Sequence, residues 1–179
     1  MLEVPQALLD ERRAKGLDKS DEMWEGELHM VPPPSDRHQA VGGELFLVLA
    51  PIAKARGLLA RHDPSGLFRP GVDLDWRVPD QMYARPEVRS ERGIEGAASL
   101  VVEILSPHDE TYQKLDWYAS VDVGEVLVIE PETRRVELFA NRDGRMVPVE
   151  PVVVECLGVR AETVDGVLRL IWDGGTADI

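Results

Sequence analysis

The stretch Ser99-Leu100-Val101-Val102-Glu103-Ile104-Leu105-Ser106 constrains this chain more than any other. Its near-continuous apolar run predicts a strand at the centre of a sheet, covered on both faces. Period-two alternation then puts Val101, Glu103 and Leu105 on one face and Leu100, Val102 and Ile104 on the other. Glu103 is the anomaly. A carboxylate buried alone is costly, so it needs a partner, a metal or a raised pKa. The plainer alternative is that the strand frays toward Ser106-Pro107 and the acid meets solvent or an arginine.

Around that strand the patterning reads as one mixed α/β (α+β) domain over residues 1–179, with helices on a central sheet. Residues 5–15 read as a short helix stopped at Gly16, inside an N-terminal extension over 1–19. Residues 23–31 alternate as one strand, ended by Pro32-Pro33-Pro34. Ser35 or Asp36 caps a helix of about twenty residues that ends near Gly57. Its apolar stripe is Val41, Leu45, Val48, Leu49 and Ile52. Short strands are expected at 58–62, 67–69, 72–76 and about 80–84. A polar segment, 85–96, precedes the central strand. A helix from Asp109 to about Val121 and a strand over 125–130 complete a core spanning 20–131. Residues 132–179 read as a C-terminal β-meander, with strands at 136–140, 146–149, 152–156 and 167–172.

The chain carries 20 basic and 33 acidic side chains, for a net charge of −13. This excludes a protein that coats nucleic acid through a general basic surface, but not one with a local groove. Arg56, Arg61, Arg69, Arg77, Arg85, Arg89 and Arg92 in the middle third are candidates for that groove, with Arg85, Arg89 and Arg92 as nucleic-acid contacts. Spaced surface arginines are the equal alternative. Cys156 is the only cysteine, so there is no disulfide framework and no Cys-based zinc site. In its apolar run it reads as a small buried hydrophobe. No signal-peptide pattern opens the chain and no run approaches ~18 apolar residues, so a cytoplasmic protein without a membrane span is expected.

Asp80 is the second acid of interest. If the strands before and after the 85–96 segment pair antiparallel about a loop centred near Ser90-Glu91, Asp80 falls opposite Glu103. Two carboxylates meeting across a ladder repel unless a cation sits between them. Such an oxygen pair suits Mg²⁺ or Mn²⁺. Asp80 after Pro79 is equally an ordinary turn residue. Lys114 is one of only four lysines, on the helix directly after the Glu103 strand, where it can fold back over the strand end. Its alternative is a surface pair with Glu110 at i, i+4. His38, near a helix start, is placed to donate to a phosphate or simply to cap.

Together these residues resemble a known pattern. Pro79-Asp80 followed by Glu103 in an apolar strand looks like the PD-(D/E)XK phosphodiesterase core of restriction-type nucleases. The closer resemblance is to the Uma-two family of restriction endonucleases. It runs through Trp24-Glu25-Gly26-Glu27-Leu28, Pro33-Pro34-Ser35 with His38-Gln39, and Val78-Pro79-Asp80. It continues through Val102-Glu103-Ile104-Leu105-Ser106-Pro107, Lys114, Tyr118 and Gly124 to Pro131, covering residues 20–131 in order. The superfamily's lysine, two residues past the acid, is Leu105 here, whereas the Uma-two pattern keeps a lysine on the next helix, matching Lys114. The acid four residues before it, usually Asp, is Glu110. The family's Gly-Val turn reads Val121-Asp122-Val123-Gly124.

The resemblance implies a restriction-endonuclease-like fold and Mg²⁺-dependent hydrolysis of DNA, with Mn²⁺ able to substitute. Asp80 and Glu103 would be metal ligands and Lys114 would assist the attacking water. Glu25, His38 and Gln39 would be accessory, and a homodimer or higher homo-oligomer is implied. Two competing readings stand beside it: a non-enzymatic nucleic-acid or protein binding module on a retained nuclease scaffold, and a fold whose acids hold only a structural cation.

Overall fold

A computed structural model describes residues 5–16, 18–62, 64–107 and 110–179. Helix α1 (Gln6–Ala14) leads to the strands β1 (Glu22–Trp24) and β2 (Glu27–His29), then helix α2 (Asp36–Ala55). Next come β3 (Leu59–His62), β4 (Leu67–Phe68), β5 (Trp76–Arg77), β6 (Gln81–Ala84) and β7 (Ile94–Glu95). Strand β8 (Leu100–Ile104) is followed by a 3₁₀ turn, Thr111–Lys114, that runs into α3 (Leu115–Ser120), and then by β9 (Glu125–Ile129). The chain closes with β10 (Val136–Arg142), β11 (Arg145–Pro148), β12 (Val153–Val154), β13 (Val159–Val164), β14 (Val167–Trp172) and β15 (Gly175–Asp178). The start expected for a helix at Asp109, and His108 beside it, lie outside the described residues.

Among the described residues the strands form three sheets, which with the helices make a mixed α+β architecture. The central one has six strands in the order β11-β10-β9-β8-β6-β3. Within it β8 and β9 are parallel and the other pairs antiparallel. Gly124 lets the parallel pair start, because a Cβ there would stand 2.9 Å from the Ser99 carbonyl oxygen. A five-stranded sheet, β2-β1-β5-β4-β7, and a C-terminal antiparallel meander, β12-β13-β14-β15, complete the fold.

Alternation along the central strands divides the core. Leu100, Val102, Ile104, Leu127 and Ile129 join α2 (Val41, Leu45, Leu49, Ala53) and the meander (Val159, Leu168, Leu170) on one face. Val101, Val126, Val128 and Met82 pack with Trp117 and Tyr118 on the other. Each such fully buried aliphatic contributes roughly 1.5–3 kcal/mol. Ser35 caps α2, its hydroxyl accepting from the His38 N–H at 3.2 Å. Gly42 lets α2 lie close on β8, since a Cβ would meet Ile104 Cδ1 at 3.2 Å.

Several expectations are corrected. Residues 23–31 are two strands, because Glu25 (φ 51°) and Gly26 (φ 92°) form a two-residue left-handed turn that pairs Trp24 with Glu27. Such turns preserve the outward alternation while reversing the chain. Residues 72–75 are a loop, closed by Arg69 N–H to Asp75 O (3.0 Å) and Val72 N–H to Arg69 O (3.2 Å). Strands β7, β13 and β15 were not expected. The first and last carry too few apolar residues to show a period. In β13 the alternating pattern is carried by Val159 and Ala161, both buried, beside exposed Arg160. Strands β10 and β11 extend the central sheet beyond residue 131. Asp122 takes the left-handed turn (φ 61°) where the family pattern has Gly, a conformation Asp tolerates.

Cys156 is partly buried beside Glu125, whose carboxylate accepts from the Glu155 and Cys156 N–H groups at 3.0 and 3.3 Å. Burial first, and the Glu125 charge second, push its thiol up to about 12. Since only the thiolate is nucleophilic, Cys156 in the native protein should react with iodoacetamide at pH 7.5 roughly 100-fold or more slowly than in urea. Mass spectrometry of the alkylated chain checks this, and equal rates would remove the assigned burial.

Candidate active site

The site forms where β6 begins and β8 ends. Gln81 pairs with Val102, Met82 with Val101 and Tyr83 with Leu100, the register that sets Asp80 opposite Glu103. Asp80 Oδ2 accepts from the Ile104 N–H at 2.7 Å and lies 3.3 Å from His38 Nε2 on the first turn of α2. Helix α2 and the sheet therefore both orient this carboxylate.

Glu103 is only 4% exposed, so the strand does not fray. Its Oε1 accepts from Lys114 Nζ at 3.1 Å and from the Tyr118 hydroxyl. Both donors come from the turn and helix that directly follow β8, which fold back over the same face of the sheet. Lys114 does not pair with Glu110. Its ammonium also donates to Glu22 Oε1 at 3.0 Å, while Glu110 sits 3.0 Å from His29 Nδ1. Glu22 is held in turn by the Val78 N–H (2.9 Å) and the Trp24 indole N–H (2.7 Å).

Two buried carboxylates, Glu103 and Glu22, thus share one ammonium, with Asp80 beside them. Burial, with Asp80 and Glu22 adding to it, raises the Glu103 carboxyl against the opposing pull of Lys114. For Lys114, burial alone would lower the pKa, but Glu103 and Glu22 more than reverse this and hold the ammonium protonated. Tyr118 is pushed well above its ordinary range by burial and by Glu103. It is a hydrogen-bond donor at any physiological pH.

A cleft of about 570 Å³ opens onto these groups, lined by Glu22, His38, Asp80, Glu103 and Lys114 and rimmed by residues 29–35 and Ser106-Pro107. Among the described residues, Asp80 Oδ1 and Glu103 Oε2 take no hydrogen bond, since each acid spends only its other oxygen. Two hard oxygen donors facing one cleft fit a divalent cation that keeps several waters.

The other anticipated residues lie elsewhere. Glu25 is at the exposed tip of the β1–β2 turn, and only its backbone N–H is engaged, with Asp75 at 3.3 Å. Gln39 is exposed on α2 and does not line the cleft. Arg85 follows β6 at the end away from Asp80, ~16 Å along the strand, and Arg89 lies beyond it. Arg92 is tied to Glu95 (2.9 Å) and Asp73 (3.3 Å). Arg77 is buried with Asp75, and Arg69 joins the same carboxylate at 2.5 Å. None of the seven anticipated arginines lines the cleft. Glu22 is the residue sequence reasoning missed. Reading Glu25-Gly26 as a primed turn would have put both Glu22 and Glu27 on the paired strands, without choosing between them.

The family model described as "Putative restriction endonuclease", Uma2, matches residues 10–167. No curated protein matches the chain. Among solved structures, the chain is similar to a protein of Anabaena variabilis ATCC 29413 described as "a putative nuclease belonging to DUF820". The two share 19% identity, with a TM-score of 0.60 over 73% of this chain and 76% of that one, which is a likeness of fold.

Proposed function

Because the chain belongs to the Uma2 family of restriction-endonuclease-like proteins, we propose that it hydrolyses phosphodiester bonds of DNA with a divalent cation, Mg²⁺ or Mn²⁺ in its place, held by Asp80 and Glu103. The observation that carries this reading is the register that sets the two acids face to face with Lys114 3.1 Å from one of them. When bound, the cation supplies Lewis acidity toward a phosphoryl oxygen and makes a hydroxide nucleophile accessible near neutral pH.

The side chains supply position and charge. Tyr118 and Lys114 fix one oxygen of Glu103, which lines the cleft, and leave the other unengaged. The Ile104 N–H and His38 do the same for Asp80. Lys114, held by Glu22 as well as Glu103, keeps an ammonium beside the place where phosphoryl charge develops, a preorganised arrangement that needs no rearrangement during reaction. Its position on the turn after β8 substitutes for a lysine on the strand itself, where this chain has Leu105.

Calorimetric titration of Mn²⁺ into wild type and Glu103→Gln, followed by plasmid nicking in the same buffer, tests the reading. Wild type should bind and nick, and Glu103→Gln should lose both by tenfold or more, as loss of a ligand does. Equal Mn²⁺ binding by the two proteins would make Glu103 a structural acid. Binding without nicking would favour a cation-holding binding module.

A further inference from the structure

We propose that the cleft takes an unpaired nucleotide of a single-stranded DNA segment and that His29 is the stacking platform for its base. This rests on the nuclease reading above. Three observations converge on it.

The first is a series of π contacts that ends at the cleft. The Arg77 guanidinium carbon lies 4.4 Å from the Trp117 ring centroid and 4.4 Å from that of Trp24. Trp24 and His29 then stack with centroids 4.1 Å apart and planes 11° from parallel. His29 lines the cleft and its ring is partly exposed. One face is taken by Trp24, which leaves the opposite face for a stacking partner. A nucleobase has a π-face of the right kind to continue such a stack.

The second observation is that His29 is held still. Trp24 fixes the plane of the ring and Glu110, 3.0 Å from Nδ1, fixes its rotation. Orientation set before binding lowers the ordering cost of the complex. The strand that carries His29 pairs with the one that carries Glu22, which holds Lys114. A base on His29 and a phosphate near Lys114 are therefore positioned by one β-hairpin.

The third is the character of the rim. Beside His29 it is Met30 (42% exposed), Val31 and Pro32-Pro33-Pro34. This is an apolar wall, and among the described residues Lys114 is the only lysine or arginine lining the cleft. A duplex needs a row of cations along its phosphates, and no described arginine lines this cleft to form one. Single-strand binding instead draws much of its affinity from stacking, at one base per aromatic ring.

The test is binding and cleavage of one sequence in two forms. A single-stranded DNA 12-mer carrying 2-aminopurine, and the same strand annealed to its complement, are titrated with wild type, His29→Phe and His29→Ala in chelator. Cleavage of both forms is then followed in Mn²⁺. Wild type should bind the single strand more tightly than the duplex, quench 2-aminopurine by stacking, and cut the single strand faster. His29→Phe, which keeps a ring but loses the Glu110 contact, should retain the quench. His29→Ala should weaken single-strand binding roughly tenfold or more. Duplex bound and cut as well as the single strand, or wild-type binding and quenching by His29→Ala, would overturn the platform. Quenched single-strand binding with no cleavage of either form would instead leave the platform standing and remove the nuclease reading.

Discussion

Lys114→Ala is expected to abolish nicking and to destabilise the chelated protein by about 3 kcal/mol or more, the scale on which a buried ion cluster loses one partner. Lys114 is the single cation between Glu103 and Glu22, at 3.1 and 3.0 Å. Without it, two buried carboxylates face each other and Asp80. The loss should depend on pH with a definite sign. Glu103 already titrates above its unfolded value, raised to about 8 by burial and its neighbouring acids. Its favourable contribution is therefore complete below the unfolded carboxylate range and is lost as pH rises through about 8. Removing Lys114 raises Glu103 further, so the variant should lose more stability between pH 6 and 8.5 than wild type does. Urea titrations at the two pH values measure this. Lys114→Met fills the volume without the charge and separates packing from electrostatics. Full nicking activity in either variant would remove Lys114 from the proposed chemistry. A pH-independent loss would assign its structural role to packing.

The second large effect is expected at Asp75, which touches no part of the cleft. Its carboxylate is 2% exposed and accepts from Arg69 (2.5 Å), Arg77 (3.1 Å), the Trp117 indole (2.8 Å) and the Glu25 N–H (3.3 Å). Burial pulls its pKa up, but the Arg69 and Trp117 hydrogen bonds, with the remaining partners, outweigh that and hold it below the ordinary range. Asp75→Ala removes the carboxylate hydrogen-bonded to Arg77, which is 3% exposed with Nε already unpartnered and is left with the Met23 and Trp76 carbonyls. It should cost about 3 kcal/mol. Asp75→Asn keeps an acceptor and should cost less, about 1–3 kcal/mol. The wild-type contribution is present above the unfolded Asp pKa and disappears as pH falls through the lower folded value. The difference between wild type and Asp75→Asn should therefore shrink in acid. Urea midpoints at unchanged m-value report all three quantities. An Asp75→Ala protein as stable as wild type would make the Arg77 cluster energetically idle. Because Trp117 precedes Tyr118, partial loss of nicking in Asp75→Asn is also expected.

Much of this site is legible in the order of residues along the chain. The apolar run around Glu103 requires a central strand, and the loop between the two strands sets their register, because antiparallel pairing is governed by where the chain turns. Asp80 and Glu103 meet for that reason alone. The capped start of α2 at Ser35 places His38 one turn in, and a short connection after β8 limits how far Lys114 can stray. What escapes such reading is local: a two-residue turn at Glu25-Gly26 hidden inside unbroken alternation, and strands too short to show a period.

The arginines mark the other limit. Arg69, Arg77 and Arg92 are indistinguishable by type from free surface cations, yet each is committed to an acid, and Asp75 alone takes two of them. The partners lie only two to six positions away, yet whether an arginine bends back to such an acid or faces solvent depends on how the intervening turn folds, which residue type alone does not encode.

Linear pattern therefore dictates a central strand with a buried acid, the register that faces it with Asp80, and the helix that returns a lysine to it. These follow from periodicity and loop length, which act over a few tens of residues. Three-dimensional packing selects the rest: Glu22 completes the cluster, Glu110 turns to His29, and a stack of rings ends at the cleft. Those contacts join residues 81 and 92 positions apart, where close packing of a hairpin against a distant helix, and not local pattern, chooses the partner.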